Sequence, residues 1–169
     1  MAKRISLREF QESLAHRLTS AQRGETRRAL LGVASGKDHW LLDLSDSGEV
    51  VPLPTLTTVP LTKPWFAGIA NVRGTLYSVV DFSAFRGDEP TRRNANARLL
   101  LVGARYGINS ALLVDRTLGL KSLDDLEAMP HPEDAPPWAG SSLQDPQGHK
   151  WTLLKLRELF ADPLFLDVG

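Results

Sequence analysis

The spacing of apolar residues changes once along this chain. Leu7, Phe10, Leu14, Leu18 and Ala21 recur at helical spacing and make one stripe. Ser6 and Glu9 form a capping box, in which hydroxyl and carboxylate satisfy opposed orphan N–H groups, and Gly24 supplies a C′ stop. A helix is expected there, with its stripe packed on the body of the domain. After Arg28 short runs replace the stripe. Residues 29–34 and 39–44, joined by Ser35-Gly36-Lys37-Asp38, read as a hairpin. Asp46-Ser47-Gly48 turns the chain into a third strand at Glu49, Val50 and Val51. Pro52, Pro54, Pro60 and Pro64 make 52–64 an edge or irregular extended segment, because proline has no ladder donor. Residues 65–69 read as a short helical turn, with Pro64 pre-set for its first position.

Residues 75–82 are rich in β-branched and aromatic side chains and predict a strong strand. The polar stretch 86–96 predicts a surface loop. Residues 98–102 and 110–114 are apolar runs around Tyr106-Gly107, a second hairpin, and 118–121 continues as a short strand. Residues 129–148 predict a long loop, with Pro130, Pro132, Pro136, Pro137 and a buried Trp138. A last strand is expected over 150–154 and a short helix over 156–160. Many short strands with helices only at the margins argue a mainly β fold, a barrel or sandwich.

Length and charge narrow the function. At 169 residues the chain is about one domain long and can hold a core without staples. Its net charge of zero argues against a dedicated nucleic-acid binder and against membrane adsorption by charge. With no cysteine, disulfides and thiolate metal sites are excluded, and a reducing cytosol is the expected compartment. No secretory signal and no membrane-length apolar run is expected. Basic residues gather before Leu30, and acidic ones between Asp124 and Asp145; solvated faces are the expected reading, with a basic arm that meets an acidic partner as the alternative.

Catalytic patterns are weak. His16, His39, His131 and His149 stand at no metal-ligand spacing in sequence. Gly32 to Lys37 falls one residue short of a phosphate loop, and Asp38 stands where Ser or Thr should bind magnesium. There is no G-x-S-x-G elbow, and Ser141-Ser142 has no assignable base. No catalytic residue, metal ligand, cofactor or small-molecule substrate is expected.

The most informative stretch runs from Gly68 to Phe82: Gly68-Ile69-Ala70-Asn71-Val72-Arg73-Gly74, then an apolar strand ending in Asp81-Phe82. Gly74 suits a positive-φ turn position and Asn71 a side-chain-closed turn. Leu76, Ser78 and Val80 share one strand face, and Tyr77, Val79 and Asp81 the other. Asp81 can cap the turn after the strand. This stretch resembles the signature of CheW-like domains. In family order, Glu49 before an apolar residue, Ala111-Leu112-Leu113-Val114-Asp115, and Thr152-Leu153-Leu154-Lys155-Leu156 resemble three further family elements. Val59-Pro60-Leu61-Thr62-Lys63-Pro64-Trp65-Phe66 and the N-terminal helix resemble the PilI branch, which serves type IV pilus (twitching motility) chemosensory systems. Two positions depart from the pattern. Ala111 replaces a usual glycine, so strand pairing is expected to shift slightly there, and Lys155 stands where Asp is common.

The resemblance implies a CheW-like fold of two five-stranded, SH3-like β-barrel subdomains over 29–169, with 1–28 as a helical extension and a short C-terminal helix. It implies a non-catalytic cytoplasmic adaptor, recruited to membrane-associated arrays, between methyl-accepting chemoreceptors and a CheA-type histidine kinase. Its receptor-binding residues would be Glu49, Gly68, Asn71, Arg73 and Gly74, with Ala111 and Leu113 as an opposite wall. Their place at a barrel edge, and not the resemblance, puts Leu76 and Val80 on the kinase side, with plain core as the alternative. Arg73 would pair bidentately with Glu49 across strands. The residues alone leave two alternatives, an OB-type nucleic-acid module and a hydrolase with a deep pocket.

Overall fold

A computed structural model describes residues 29–43, 48–102 and 108–166. The helix expected before Gly24, the boundary at residue 28, His16 and the Tyr106-Gly107 turn lie outside them. Among the described residues, eleven strands form two sheets. The strands are β1 (Ala29–Ser35), β2 (Asp38–Asp43), β3 (Glu49–Pro52), β4 (Phe66–Val72), β5 (Thr75–Asp81), β6 (Arg98–Val102), β7 (Ser110–Val114), β8 (Arg116–Ser122), β9 (Glu127–Met129), β10 (Ala139–Gln144) and β11 (Lys150–Leu154). Short helices follow β5, as α1 (Phe82–Phe85), and β11, as α2 (Leu156–Ala161) and α3 (Pro163–Leu166).

One sheet has the expected five strands, in the order β3-β6-β7-β5-β4. The other has six, β8-β1-β2-β11-β10-β9, because the short β9 adds to β10. The five-stranded sheet curls on itself. Its outer strands are β3 and β4, yet the chain leaving β3 returns to β4, where Thr57 and Ile69 exchange two backbone hydrogen bonds of 2.9 Å. The substitution at Ala111 shifts nothing: β7 pairs in continuous register with both β5 and β6.

The strands at the centre are apolar at almost every position because both of their faces are covered. Leu99, Leu101, Ala111, Leu113 and Val79 fill the inside of the five-stranded sheet. Leu30, Leu41, Leu143 and Trp151 fill the inside of the six-stranded one. Their neighbours Leu100, Val102, Leu112, Val114 and Val80, with Leu31, Val33, Trp40 and Leu42, form a third cluster between the sheets, completed by Phe82, Trp138, Leu156, Leu159 and Phe160. The two-fold alternation of strands sorts adjacent residues into two cores.

Two further expectations fail. Residues 65–69 do not make a helical turn: Phe66 begins β4, which pairs with β5, and Pro64 merely precedes the strand. The stretch 129–148 is not all loop. Once the prolines end at Pro137, β10 forms with Gly140 and Leu143 facing inward. Its sequence, AGSSLQ, has no β-branched or aromatic residue, so propensity gave no signal. Trp138 is buried as expected, 5.8 Å between ring centroids from both Trp40 and Phe82.

Asp145 closes the turn into β11 and yields a pH prediction. Its side chain is 3% exposed. It accepts from the indole N–H of Trp151 at 3.0 Å and from the backbone N–H groups of Gln147 and His149. Burial alone would raise its pKa. The Trp151 bond, the His149 backbone bond and the His149 ring outweigh burial and hold the carboxyl down to about 2, from an ordinary 3.8. A carboxylate depressed in the folded state stabilises above its unfolded pKa and loses that contribution as pH falls through the folded one. The melting-temperature gap between wild type and Asp145→Asn should therefore narrow as pH drops from about 4 to about 2. Thermal melts over that range test it, and a constant gap would refute it.

Candidate docking surface

The signature stretch builds the β4–β5 hairpin. Val72 and Thr75 flank a two-residue turn, Arg73-Gly74, with φ of 52° and 88°. Two positive φ values in succession match the right-handed twist of the flanking strands, as in a type I′ turn. Gly74 takes its position at no steric cost; Arg73 does not. Asn71 closes the turn, its Oδ1 accepting the Gly74 N–H at 2.9 Å. The sequence marked Gly74 and Asn71 for these roles but gave no sign of the left-handed Arg73.

Arg73 pairs with Glu49 at the start of β3. The contact runs from Nη2 to Oε2, one atom to one atom and not the bidentate link expected. It spans the seam between the two outer strands of the curled sheet. The side chains are 66% and 50% exposed, so water screens the pair. A double-mutant cycle with Arg73→Glu and Glu49→Arg should give a coupling of about 0.2–1 kcal/mol. Strict additivity would mean that the seam contact carries no energy.

The other candidate residues separate into exposed and buried groups. Asn71, Arg73, Gly74 and Glu49 are exposed together at the hairpin end. Leu76 is 59% exposed and pairs directly with Asn71. Ala111 and Leu113 are not a groove wall: both are fully buried inside the five-stranded sheet. Val80 is not a surface residue either. It shares a strand face with Leu76, but the far end of β5 passes under the second sheet and Val80 joins the inter-sheet core. Gly68 is buried at φ 133°, and a Cβ there would meet the Thr57 carbonyl oxygen at 2.5 Å. Its role is close backbone approach inside the barrel.

Asp81 ends β5 and caps α1, accepting from the Ala84 N–H at 3.3 Å. It also accepts from the Thr91 N–H at 2.8 Å and the Thr91 hydroxyl at 2.6 Å. The loop over 86–96 is thus pinned from below at Thr91, which is buried. Arg86, in the same loop, reaches the other sheet, bonding the Ser35 carbonyl at 2.7 Å and Asp38 at 2.8 Å. Beside these contacts lies a cleft of about 730 Å³, bordered by Lys37, Asp115, Arg116 and Arg92. Both Arg86 and Thr91 escaped the sequence reading, because nothing local separates a tethering Arg or Thr from a solvated one.

His39 and His149, distant in sequence, lie 6.0 Å apart between ring centroids. Burial, then His149 and Arg116, lower the pKa of His39. Among the described residues no three His, Cys, Asp or Glu side chains are arranged to hold a metal ion.

Two curled sheets sharing a middle core, with the Asn-Val-Arg-Gly hairpin exposed at one end, define a small double-barrel β protein. Residues 29–164 match the CheW-like domain, and the chain belongs to that family. Among curated proteins it is similar to protein PilI of Pseudomonas aeruginosa strain PAO1, with 31% identity over 91 residues. That match covers 54% of this chain and 51% of the relative, so the chain spans about half the length of the relative it matches. Among solved structures it is similar to the scaffolding protein TtCheW from Thermoanaerobacter tengcongensis, with a TM-score of 0.68. The similarity covers 84% of this chain and 99% of that one at 19% identity, and it shows the fold.

Proposed function

We propose that this protein is a non-catalytic adaptor that couples methyl-accepting chemoreceptors to a CheA-type histidine kinase, in the control of type IV pili. Family membership and the PilI relative support the reading. The observation that carries it is the hairpin. Glu49, Asn71, Arg73, Gly74 and Leu76 lie together, exposed, on a rigid turn whose backbone is closed by Asn71. A polypeptide can meet that surface without the fold opening. The receptor side is Glu49, Asn71, Arg73 and Gly74, and Leu76 extends it toward the kinase. Residues 1–28 are an extension of the CheW-like domain. No helix among the described residues is long and apolar enough to cross a membrane. The adaptor works in the cytoplasm and joins arrays through its receptor partner.

An adaptor transmits state by binding one arrangement of its partners better than another. Co-purification with wild type should retrieve a receptor and the kinase. Arg73→Glu should lose the receptor, and Glu49→Arg in the same chain should restore part of it, because the reversed pair rebuilds the seam. Retrieval of both partners by Arg73→Glu at wild-type levels would rule out this docking surface.

A further inference from the structure

A cleft of about 270 Å³ opens beside the first residues of β1, with Leu30, Leu123, Leu153 and Leu156 as its floor. Leu30 belongs to the cluster inside the six-stranded sheet and Leu153 packs against it, so the cleft is a mouth of that core. Leu123, on the short turn Leu123–Asp125 after β8, is 40% exposed at its lip. The rim is charged, with Asp43 and Glu158 beside Lys155 and Arg157. A leucine floor with edges of both signs fits an amphipathic helix, whose stripe meets the floor while its polar flanks meet the edges.

We propose that this chain's own segment 7–21 covers the cleft as a helix, seating Leu14 and Leu18, the two leucines of its stripe nearest the entry to β1, on the floor. Three observations select this occupant. The first is the point of entry. Ala29 pairs with Ser122, so the chain reaches β1 beside Leu123, and Leu30, the next residue, lines the cleft itself. The second is reach. The stripe ends before Gly24, and residues 24–28 span at most about 17 Å. The larger cleft, of about 730 Å³, borders Gly36, past the far end of β1 and about 23 Å from Ala29. The third is charge. Residues 1–30 carry seven Lys and Arg against three Glu. Arg27 and Arg28, immediately before β1, meet the exposed pair Asp124 and Asp125 on the turn beside the entry. Nothing in this placement depends on the adaptor reading.

The chain has no cysteine, so introduced pairs report proximity without background. In the full chain, Leu18→Cys with Leu123→Cys should be joined within one molecule by a short bis-maleimide. Leu18→Cys with Lys37→Cys, at the far end of β1, should not. Denaturing gels and intact mass separate a crosslinked monomer from a dimer. A second measurement needs no crosslinker. Leu14→Asp with Leu18→Asp should speed hydrogen exchange about tenfold or more over residues 121–126 and 153–158 and leave residues 36–42 as they were. Equal crosslinking of both cysteine pairs, or of neither, overturns the proposal. A crosslinked dimer from the Leu123 pair overturns it too, since the stripe then sits on a second copy. Exchange in the Asp variant that is unchanged, or that rises equally at 36–42, has the same force, the latter because it reports a loosened fold. The adaptor reading stands in every case.

Discussion

Gly68→Ala should destabilise the protein by about 2–4 kcal/mol and lower its melting temperature by roughly 5–15 °C. Two independent costs add. At φ 133° any residue with a Cβ is strained. The new Cβ would also stand 2.5 Å from the Thr57 carbonyl oxygen and 3.1 Å from its carbon. The clash is with backbone, so no side chain can rotate out of the way. Relief requires moving Thr57, which breaks the paired bonds to Ile69 that close the barrel. Denaturant unfolding measures the loss, and hydrogen exchange at Thr57 and Ile69 locates it. The experiment also separates two reasons for a glycine in this signature. If the missing side chain made room for a partner, Gly68→Ala would fold normally and bind poorly. Near-wild-type stability would return Gly68 to the docking surface.

What the sequence could and could not say follows from the range of each interaction. The β1–β2 hairpin, with Gly36 at φ 64°, was legible because its turn chemistry and its strands are adjacent. Asn71, Gly74 and Asp81 were legible for the same reason: each acts on backbone within three residues. The Arg73–Glu49 pair spans 24 residues and was reached through family resemblance, not through any local signal. Burial was harder to read. Ala111 and Leu113 sit in a strand that is apolar at every position after Ser110, so alternation cannot tell an interior face from a wall open to a partner. Only the second sheet covering the other face resolves it. β10 was missed because its stability comes from pairing with β9 and β11, and its own side chains barely favour a strand.

Arg86→Ala should cost about 2–4 kcal/mol, and Arg86→Lys should recover less than half of it. Arg86 follows α1, on the five-stranded side, and its side chain is only 8% exposed. Its guanidinium bonds the Ser35 carbonyl at 2.7 Å and the Ser35 hydroxyl at 2.9 Å, both on the other sheet. It also meets Asp38 at 2.8 Å and Asp88 at 3.0 Å. Its Cζ lies 5.2 Å from the Trp40 ring centroid and 4.9 Å from that of Phe82. Asp38 and Asp88 are half exposed and can return to water when the arginine is removed. Ser35 cannot, because it is fully buried, and its oxygens would be left without that donor. The ring contacts and the space filled by the arginine stem are lost as well. A lysine carries the charge but not the planar fork, so it cannot reach Ser35 and Asp38 together while lying on two rings. The consequence should be local before it is global. Hydrogen exchange should speed up at Gly36 and Asp38, where the β1–β2 turn loses its tie to the neighbouring sheet. Asp115 still holds this end of β1, accepting from the Gly36 N–H at 2.9 Å and donating its own N–H to the Ala34 carbonyl at 2.9 Å. Protection at Gly74 should stay as it was, since the hairpin closes on Asn71 within its own strands. If the chain relays a receptor state to a kinase as proposed, its two barrels must keep a fixed mutual geometry, and Arg86 ties one sheet to the other. Equal loosening at Gly74 and Gly36 would mean that Arg86 supports the fold at large and holds no particular joint.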